Sequence, residues 1–239
     1  MTDFTDELKA YVLELGADSV GVASVEDMMD APEGHRPTDY LGEAKSVVVW
    51  ATKLIDGVVD KMPDSRKEFT ANNFEVDAIN QDIVFRTAKF LEKAGHTSYP
   101  ISYFRREFKA MALYDLVKLF GAISVKHAAE AAGLGKLGRH SLLITPQFGP
   151  RHRMSAVITD AALRTGQPLS AKLCNPEICG YACAEACPAG AIPKEGQDDR
   201  IFDKYRCSEY GIRVLESYRC SMCMSVCPQA AWGGALSTE

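Results

Sequence analysis

The residues able to do chemistry in this sequence are its eight cysteines, and their spacing limits what that chemistry is. They read Cys174-x4-Cys179-x3-Cys183-x3-Cys187-Pro188, then Cys207, then Cys220-x2-Cys223-x3-Cys227-Pro228; no cysteine precedes Cys174. Disulfides of a secreted scaffold are spread through the fold. Crowding into one segment points instead to metal ligation. Spacings this short let one tight loop aim three thiolates at one iron–sulfur cube. Two four-cysteine zinc sites are the competing reading, but Cys-x3-Cys-Pro is not zinc-knuckle spacing.

Two-cluster bacterial ferredoxins use C-x2-C-x2-C-x3-C-P runs, in which the last cysteine of each run ligates the other cluster. Both runs here end in Cys-x3-Cys-Pro, so Cys187 and Cys227 are the expected crossing ligands. One 4Fe–4S cluster then takes Cys174, Cys179, Cys183 and Cys227; the other takes Cys187, Cys207, Cys220 and Cys223. Every cysteine is used. The wider spacing of the first run implies a longer cluster loop, and Cys207 reaches its cluster from a separate turn. The prolines after Cys187 and Cys227 are expected to lead into helices.

These ligands need a scaffold, and 239 residues suffice for one full core and a small module. A hydrophobic fraction of 46% with 25% charged residues is ordinary for a globular chain. The net charge of −5 sets the expectation of no nucleic acid and no membrane as partner, since both favour a basic face. No apolar run approaches the roughly 18–20 residues of a membrane span. The acidic start has no signal-like core, and the Arg105-Arg106 pair is internal, so a cytoplasmic location is expected.

Periodicity and caps predict an amphipathic helix over 5–15, capped by Thr5 and stopped by Gly16. Valine-rich strands follow at Ser19–Ala23 and Ser46–Leu54, then a polar loop over 56–73. A long helix is expected from Glu75 to Ala94, with Val76, Ile79, Ile83, Phe90 and Leu91 inward. Further strands are expected at 98–102, 141–145 and 154–159, and helices at 106–120 and 126–132. The fold class is α+β, with a domain over 1–165 and a cluster domain over 166–239.

A G-x-G-x-x-G pattern occurs at Gly133, Gly135 and Gly138, but a helix precedes it and a strand follows, the reverse of a dinucleotide fingerprint. What remains is a backbone that passes very close to something. The run Ala131-Ala-Gly-Leu-Gly-Lys-Leu-Gly-Arg139-His-Ser-Leu-Leu-Ile-Thr-Pro-Gln-Phe-Gly-Pro150, with Arg153, Val157–Asp160 and the two cysteine runs, resembles the superfamily of reductive dehalogenases and epoxyqueuosine reductases. Gly16–Ala23 and Ala44–Val49 resemble the epoxyqueuosine reductase pattern as well.

That resemblance implies a nitroreductase-like corrinoid-binding domain followed by a ferredoxin-like module with two 4Fe–4S clusters. Base-off cobalamin would lie against Gly133, Leu134, Gly135, Lys136, Gly138, Arg139, Thr145, Gly149, Arg151 and Arg153. The absence of Asp-x-His-x-x-Gly agrees with the base-off mode. The chain departs from the family at Leu119, which stands at the position of an acidic proton donor, and at Lys136, where dehalogenases commonly have Glu.

Lys136 and Arg139 read equally as corrinoid or anion contacts and as solvated loop charges. Arg151 and Arg153 flank His152, and strand alternation turns both arginines to one face, where a cofactor phosphate could bind. Tyr99 and Tyr103 lie just before Arg105 and Arg106, and a phenol near a cation can serve as proton donor; an ordinary amphipathic strand is the plainer reading. His127 and His140 read as hydrogen-bonded surface residues.

The leading expectation is a corrinoid and iron–sulfur oxidoreductase of anaerobic metabolism that reduces a small molecule. A low-potential donor such as ferredoxin or flavodoxin would supply its electrons. One alternative is an electron-transfer protein, or a reactivating partner for another corrinoid protein, with no tightly bound cobalamin of its own. A second puts FMN in the pocket. Exposed helices leave a homodimer open.

Overall fold

The computed structural model describes residues 3–101, 114–115, 118–197 and 201–230. Helix α1 (Phe4–Glu14) is capped by Asp3, whose carboxylate accepts from the Thr5 amide at 3.1 Å. Thr5 is not the cap: it is buried, and its hydroxyl accepts from the Arg164 amide at 3.0 Å. Asp6 and Glu7 occupy the first turn, where the helix dipole favours negative charge. Leu8 and Val12 bury the inner face, and Gly16, at φ +109, ends the helix.

Strands β1 (Ser19–Ser24) and β2 (Ser46–Lys53) pair antiparallel, with Val22 opposite Val48. Every residue of β2 from Ser46 to Thr52 is buried, the mark of a strand covered on both faces. The polar stretch after it is not the expected loop. It forms a short helix, α2 (Asp56–Val59), and the first turns of α3 (Arg66–Lys93). Lys93 lies in the last turn, and Gly95 follows at φ +89.

The buried stripe of α3 includes Val76, Asn80, Ile83, Val84, Thr87, Ala88 and Leu91, at helical spacing. Ile79, expected inward, is 44% exposed and lies beside that stripe. The polar members Asn80 and Thr87 were invisible to a purely apolar pattern.

Strand β3 (Ser98–Ile101) follows. The described part of the expected 106–120 helix is instead a pair of short strands, β4 (Tyr114–Asp115) and β5 (Phe120–Gly121), joined antiparallel; residues 106–113 lie outside the described residues. Leu119 sits in the turn before β5 with φ +53. Helix α4 (Val125–Ala131) covers β1 at Gly21, where a Cβ would stand 2.9 Å from that of Ala132.

Strands β6 (Lys136–Leu137) and β7 (Leu143–Ile144) form a small hairpin, and β8 (His152–Thr159) completes the main sheet, order β1-β2-β8-β3. The Lys45 amide donates to Thr159 and the Leu54 amide to Arg151, so β2 and β8 run antiparallel. The cysteine segment carries only short helices: α5 (Pro176–Cys179), α6 (Ala182–Glu185), α7 (Lys204–Glu209) and α8 (Met222–Ser225).

The chain groups into two compact units. One comprises 1–52, 76–134 and 153–169; the other comprises 53–75, 135–152 and 170–239. Segments 53–75 and 135–152 group with the cysteine-bearing residues 170–239. The core of the first unit gathers Leu8, Val22, Val48, Trp50, Ile83, Leu91 and Val157. A deep polar contact in this unit is Asn80, whose Oδ1 accepts from Trp50 Nε1 at 2.8 Å and Thr52 Oγ1 at 2.9 Å. Among the described residues, no helix is long and apolar enough to cross a membrane.

Replacing Asn80 with Ala leaves two buried donors without an acceptor. The expected loss is about 2–4 kcal/mol, read from the urea unfolding midpoint; a loss under about 0.5 kcal/mol contradicts this account of the core.

Candidate metal centre

The two Cys-x3-Cys-Pro runs fold in the same way. Tyr181, at φ +56, precedes α6; Ser221, at φ +45, precedes α8. Each left-handed residue then accepts from the amide three positions on, Ala184 at 2.8 Å and Met224 at 2.9 Å. Cys183 and Cys223 sit inside the one-turn helices, while Cys187 and Cys227 lie just beyond them, their amides donating to Ala184 and Met224 at 3.3 Å. A 3-10 turn follows Cys227 at Pro228–Ala230. After Cys187 there is only a tight turn, with the Gly190 amide on the Cys187 carbonyl at 3.1 Å, rather than a helix.

The thiols fall into two sets. Burial pushes the Cys183 thiol up to about 12, and the neighbours that push it the same way are Cys174, Cys227 and Cys179. The Cys227 thiol is raised to about 11 by burial, with Cys174 and Cys179 adding to it; the Gln229 backbone and the Arg151 cation oppose. Cys207 is raised to about 11 by burial, then by Cys220, Cys187 and Asp203. Cys223 is raised by burial, then by Cys207, Cys183, Cys220 and Cys187. Ala184 and Ile192, with Phe202 and Val226 against them, form the apolar seal around Cys183. Among the described residues, no three His, Cys, Asp or Glu side chains lie close enough to hold one metal ion.

The stretch read as a loop anchors the second run. Arg66 Nη1 donates to the carbonyls of Arg219 at 3.0 Å and Cys220 at 3.2 Å. Thr70 Oγ1 accepts from the Arg219 amide at 3.0 Å. Sequence reasoning missed both residues, because their partners are backbone atoms far along the chain.

The residues expected around a corrinoid divide between the two units. Leu134 and Arg153 lie in the first, where Arg153 forks onto Asp77 at 2.8 and 3.3 Å. In the second, Arg151 is buried and paired with Asp56 at 3.0 Å and Asp60 at 2.7 Å. Asp56 is held below the usual carboxylate range: burial raises it, and hydrogen bonds from Lys53 and Arg151 outweigh that. Thr145 and Gly149 bond each other's backbone at 3.0 Å.

The close approach inferred for the glycines is to the chain's own backbone. A Cβ on Gly133, whose φ is +77, would stand 2.3 Å from the Gln167 oxygen. One on Gly135 would stand 2.2 Å from the Ile144 oxygen, across the pairing of Lys136 with Ile144. One on Gly138 would meet the His140 ring at 2.7 Å. Tyr99 lies on β3, 39% exposed, its ring 5.3 Å from that of Tyr40. Tyr103, Arg105 and Arg106 lie outside the described residues.

His140 is not a surface histidine. It is 3% exposed, and its Nδ1 accepts from the Leu142 amide at 3.1 Å. The proton therefore sits on Nε2, a buried atom with no hydrogen-bond partner among the described residues. Burial, and then the neighbouring His152, hold its pKa down to about 4. His127, by contrast, is exposed, as expected, with its Nδ1 2.6 Å from Ser124 Oγ.

No protein-family model matches the chain. A tetrachloroethene reductive dehalogenase from Desulfitobacterium hafniense is 32% identical over 61% of the chain and 26% of its own length. An epoxyqueuosine reductase from Listeria monocytogenes is 31% identical over 45% of the chain and 30% of its own length. The structure of epoxyqueuosine reductase from Streptococcus thermophilus aligns with a TM-score of 0.66 at 16% identity, over 96% of this chain and 67% of that one. The catabolic reductive dehalogenase NpRdhA, solved with 3-bromo-4-hydroxybenzoic acid, aligns at 0.69 and 19% identity, over 92% of this chain and 31% of that one.

The chain is similar in sequence, over part of its length, to both reductive dehalogenases and epoxyqueuosine reductases. It shares their mixed α/β fold and spans about a quarter to a third of the curated relatives' length.

One expectation falls with these comparisons. An epoxyqueuosine reductase of the same fold, TM-score 0.66 at 19% identity over 95% of this chain and 65% of that one, has been solved with a tRNA-Tyr stem loop. The exclusion of nucleic acid drawn from a net charge of −5 is withdrawn. Net charge averages the whole surface, whereas a phosphate backbone meets only the groups at its contact.

In the folded chain His140 stays neutral down to about pH 4, whereas the unfolded chain takes up that proton near pH 6.5. Between these values the unfolded state holds more protons, so stability is fully present above the upper value and falls as pH drops toward the lower one. The effect is of order 3 kcal/mol across the window. Urea midpoints at about pH 5 and pH 7 are expected to converge in His140→Gln; an unchanged pH dependence contradicts the assignment.

Proposed function

We propose that the chain is an iron–sulfur oxidoreductase that carries two 4Fe–4S clusters on its cysteine unit and delivers electrons to a bound corrinoid. The observation that supports the reading is which thiols act on one another: Cys174 and Cys179 on Cys183 and Cys227, and Cys220 and Cys187 on Cys207 and Cys223, with Cys183 also acting on Cys223.

The donor set fits the clusters. Its donors are thiols alone, in two groups of four, sealed by apolar side chains. The amides of Arg139 and Ala191 donate to the sulfurs of Cys174 and Cys187, each at 3.4 Å, and such bonds favour the more negative, reduced state of a cluster.

Bound clusters supply one-electron transfer, and a bound corrinoid supplies the reductive chemistry that acts on substrate. The chain's part is to hold the ligands, exclude water and orient what binds. The proposal of a nitroreductase-like corrinoid domain beside a ferredoxin-like module rests on the relatives named above. The buried Nε2–H of His140 is a donor that an acceptor group of such a ligand would satisfy.

A second reading has its own observation. Arg151 and Arg153, expected on a cofactor phosphate, both pair with aspartates of the chain. That engagement favours an electron-transfer protein without a tightly held corrinoid.

Anaerobic reconstitution with iron and sulfide, followed by gel filtration with hydroxocobalamin or with FMN, separates the readings. About eight iron and eight sulfide per chain and stoichiometric co-elution of the corrinoid are expected. Full clusters with neither organic cofactor select electron transfer, FMN alone selects a flavin reductase, and a chain without iron or sulfide overturns the cluster assignment.

A further inference from the structure

Arg139 was expected to touch a corrinoid, and four of its contacts fall on one cysteine loop. Its amide donates to Cys174 Sγ at 3.4 Å. Its Nε donates to the Pro193 carbonyl at 2.8 Å, and its Nη2 to that of Lys194 at 3.1 Å. The guanidinium carbon stands 4.8 Å from the centroid of the Tyr181 ring, within cation–π range.

These contacts fall on three separate parts of the loop. Cys174 is its first ligand. Tyr181 lies between Cys179 and Cys183, and Pro193 and Lys194 follow Cys187. Gly180 and Tyr181 are consecutive left-handed residues, at φ +59 and +56, and this conformation is unfavourable for a tyrosine. It must be held from outside, and the Tyr181 carbonyl in turn starts the helix that carries Cys183. Lys194 is tied back to Glu185 of that helix at 2.9 Å. A planar fork able to bond two carbonyls and stack on a ring is particular to arginine; an ammonium offers the charge without the plane.

We propose that Arg139 is a positioning residue for the cluster held by Cys174, Cys179, Cys183 and Cys227, and that its amide and cation raise that cluster's reduction potential. The proposal rests on the cluster reading above. Donors and positive charge beside a cluster sulfur stabilise the reduced state, which carries one more electron and no compensating proton. The unusual five-residue step from Cys174 to Cys179 then has a cause. Cys174 is brought in by a clasp from the glycine-rich segment, not by the tight spacing of its own run.

The test uses the reconstituted full chain and its Arg139→Ala, Arg139→Lys and Tyr181→Leu variants. Each is titrated redox-wise under EPR, with iron release to a chelator followed in parallel. Cys174→Ser identifies which signal belongs to the first cluster. In Arg139→Ala that cluster's midpoint is expected to move negative and its iron to leave about 10-fold faster or more, as for other lost outer-shell partners, while the second cluster is unchanged.

Arg139→Lys is expected to recover part of the potential and little of the chelator resistance. Tyr181→Leu loses resistance with a smaller shift in potential. Unchanged midpoints and release rates in Arg139→Ala, or equal changes in both clusters, overturn the proposal. If Arg139→Ala does not fold, the same criterion applies to the other two variants. A wild-type chain that binds no iron overturns the cluster reading and this inference together, whereas an intact wild type with unresponsive variants overturns this inference alone.

Discussion

A buried thiol is cheap to keep as a thiol and costly to keep as a thiolate, and the cysteine unit is organised around that asymmetry. Burial and mutual repulsion push Cys183 to about 12 and Cys207 and Cys227 to about 11, so at neutral pH the chain alone holds these groups protonated. Only a cation-bearing group can offset the expulsion of those protons. On the proposed reading, folding of this unit and occupation of its thiol sets by clusters would be linked. The second-run anchors fit that view. Arg66 and Thr70 hold backbone at Arg219 and Cys220, so the ligand loop has a fixed origin before anything fills it.

The crossing pattern has a physical consequence. Because Cys227 keeps company with Cys174, Cys179 and Cys183, and Cys187 with Cys207, Cys220 and Cys223, neither set can form from one run alone. The helices α6 and α8 must meet first, and their matching turns at Tyr181 and Ser221 let two short runs present like faces to each other. Cys183 also acts electrostatically on Cys223, across the two proposed sets.

The two proposed sets follow from cysteine spacing, because spacing constrains a ligand loop directly. Valine-rich runs likewise marked β1 and β2, because β-branched side chains favour extended backbone locally. The misses share one cause: the deciding partner is distant in sequence. Asp56–Asn73 looked like loop because its polar side chains serve remote backbone and Arg151 rather than an apolar stripe. His140 looked exposed because its burial beside His152, twelve residues on, leaves no local pattern. The glycines were rightly read as close approaches, but the sequence could not say that the approaching atoms were the carbonyls of Gln167 and Ile144.

The crossed ligand sets are most directly tested by the EPR spectrum of the reduced, reconstituted Cys227→Ser chain. The account predicts that its surviving normal cluster matches the one left by Cys183→Ser, since both substitutions strike the same set. A spectrum that instead matches Cys223→Ser would place Cys227 with its own run and contradict the crossing.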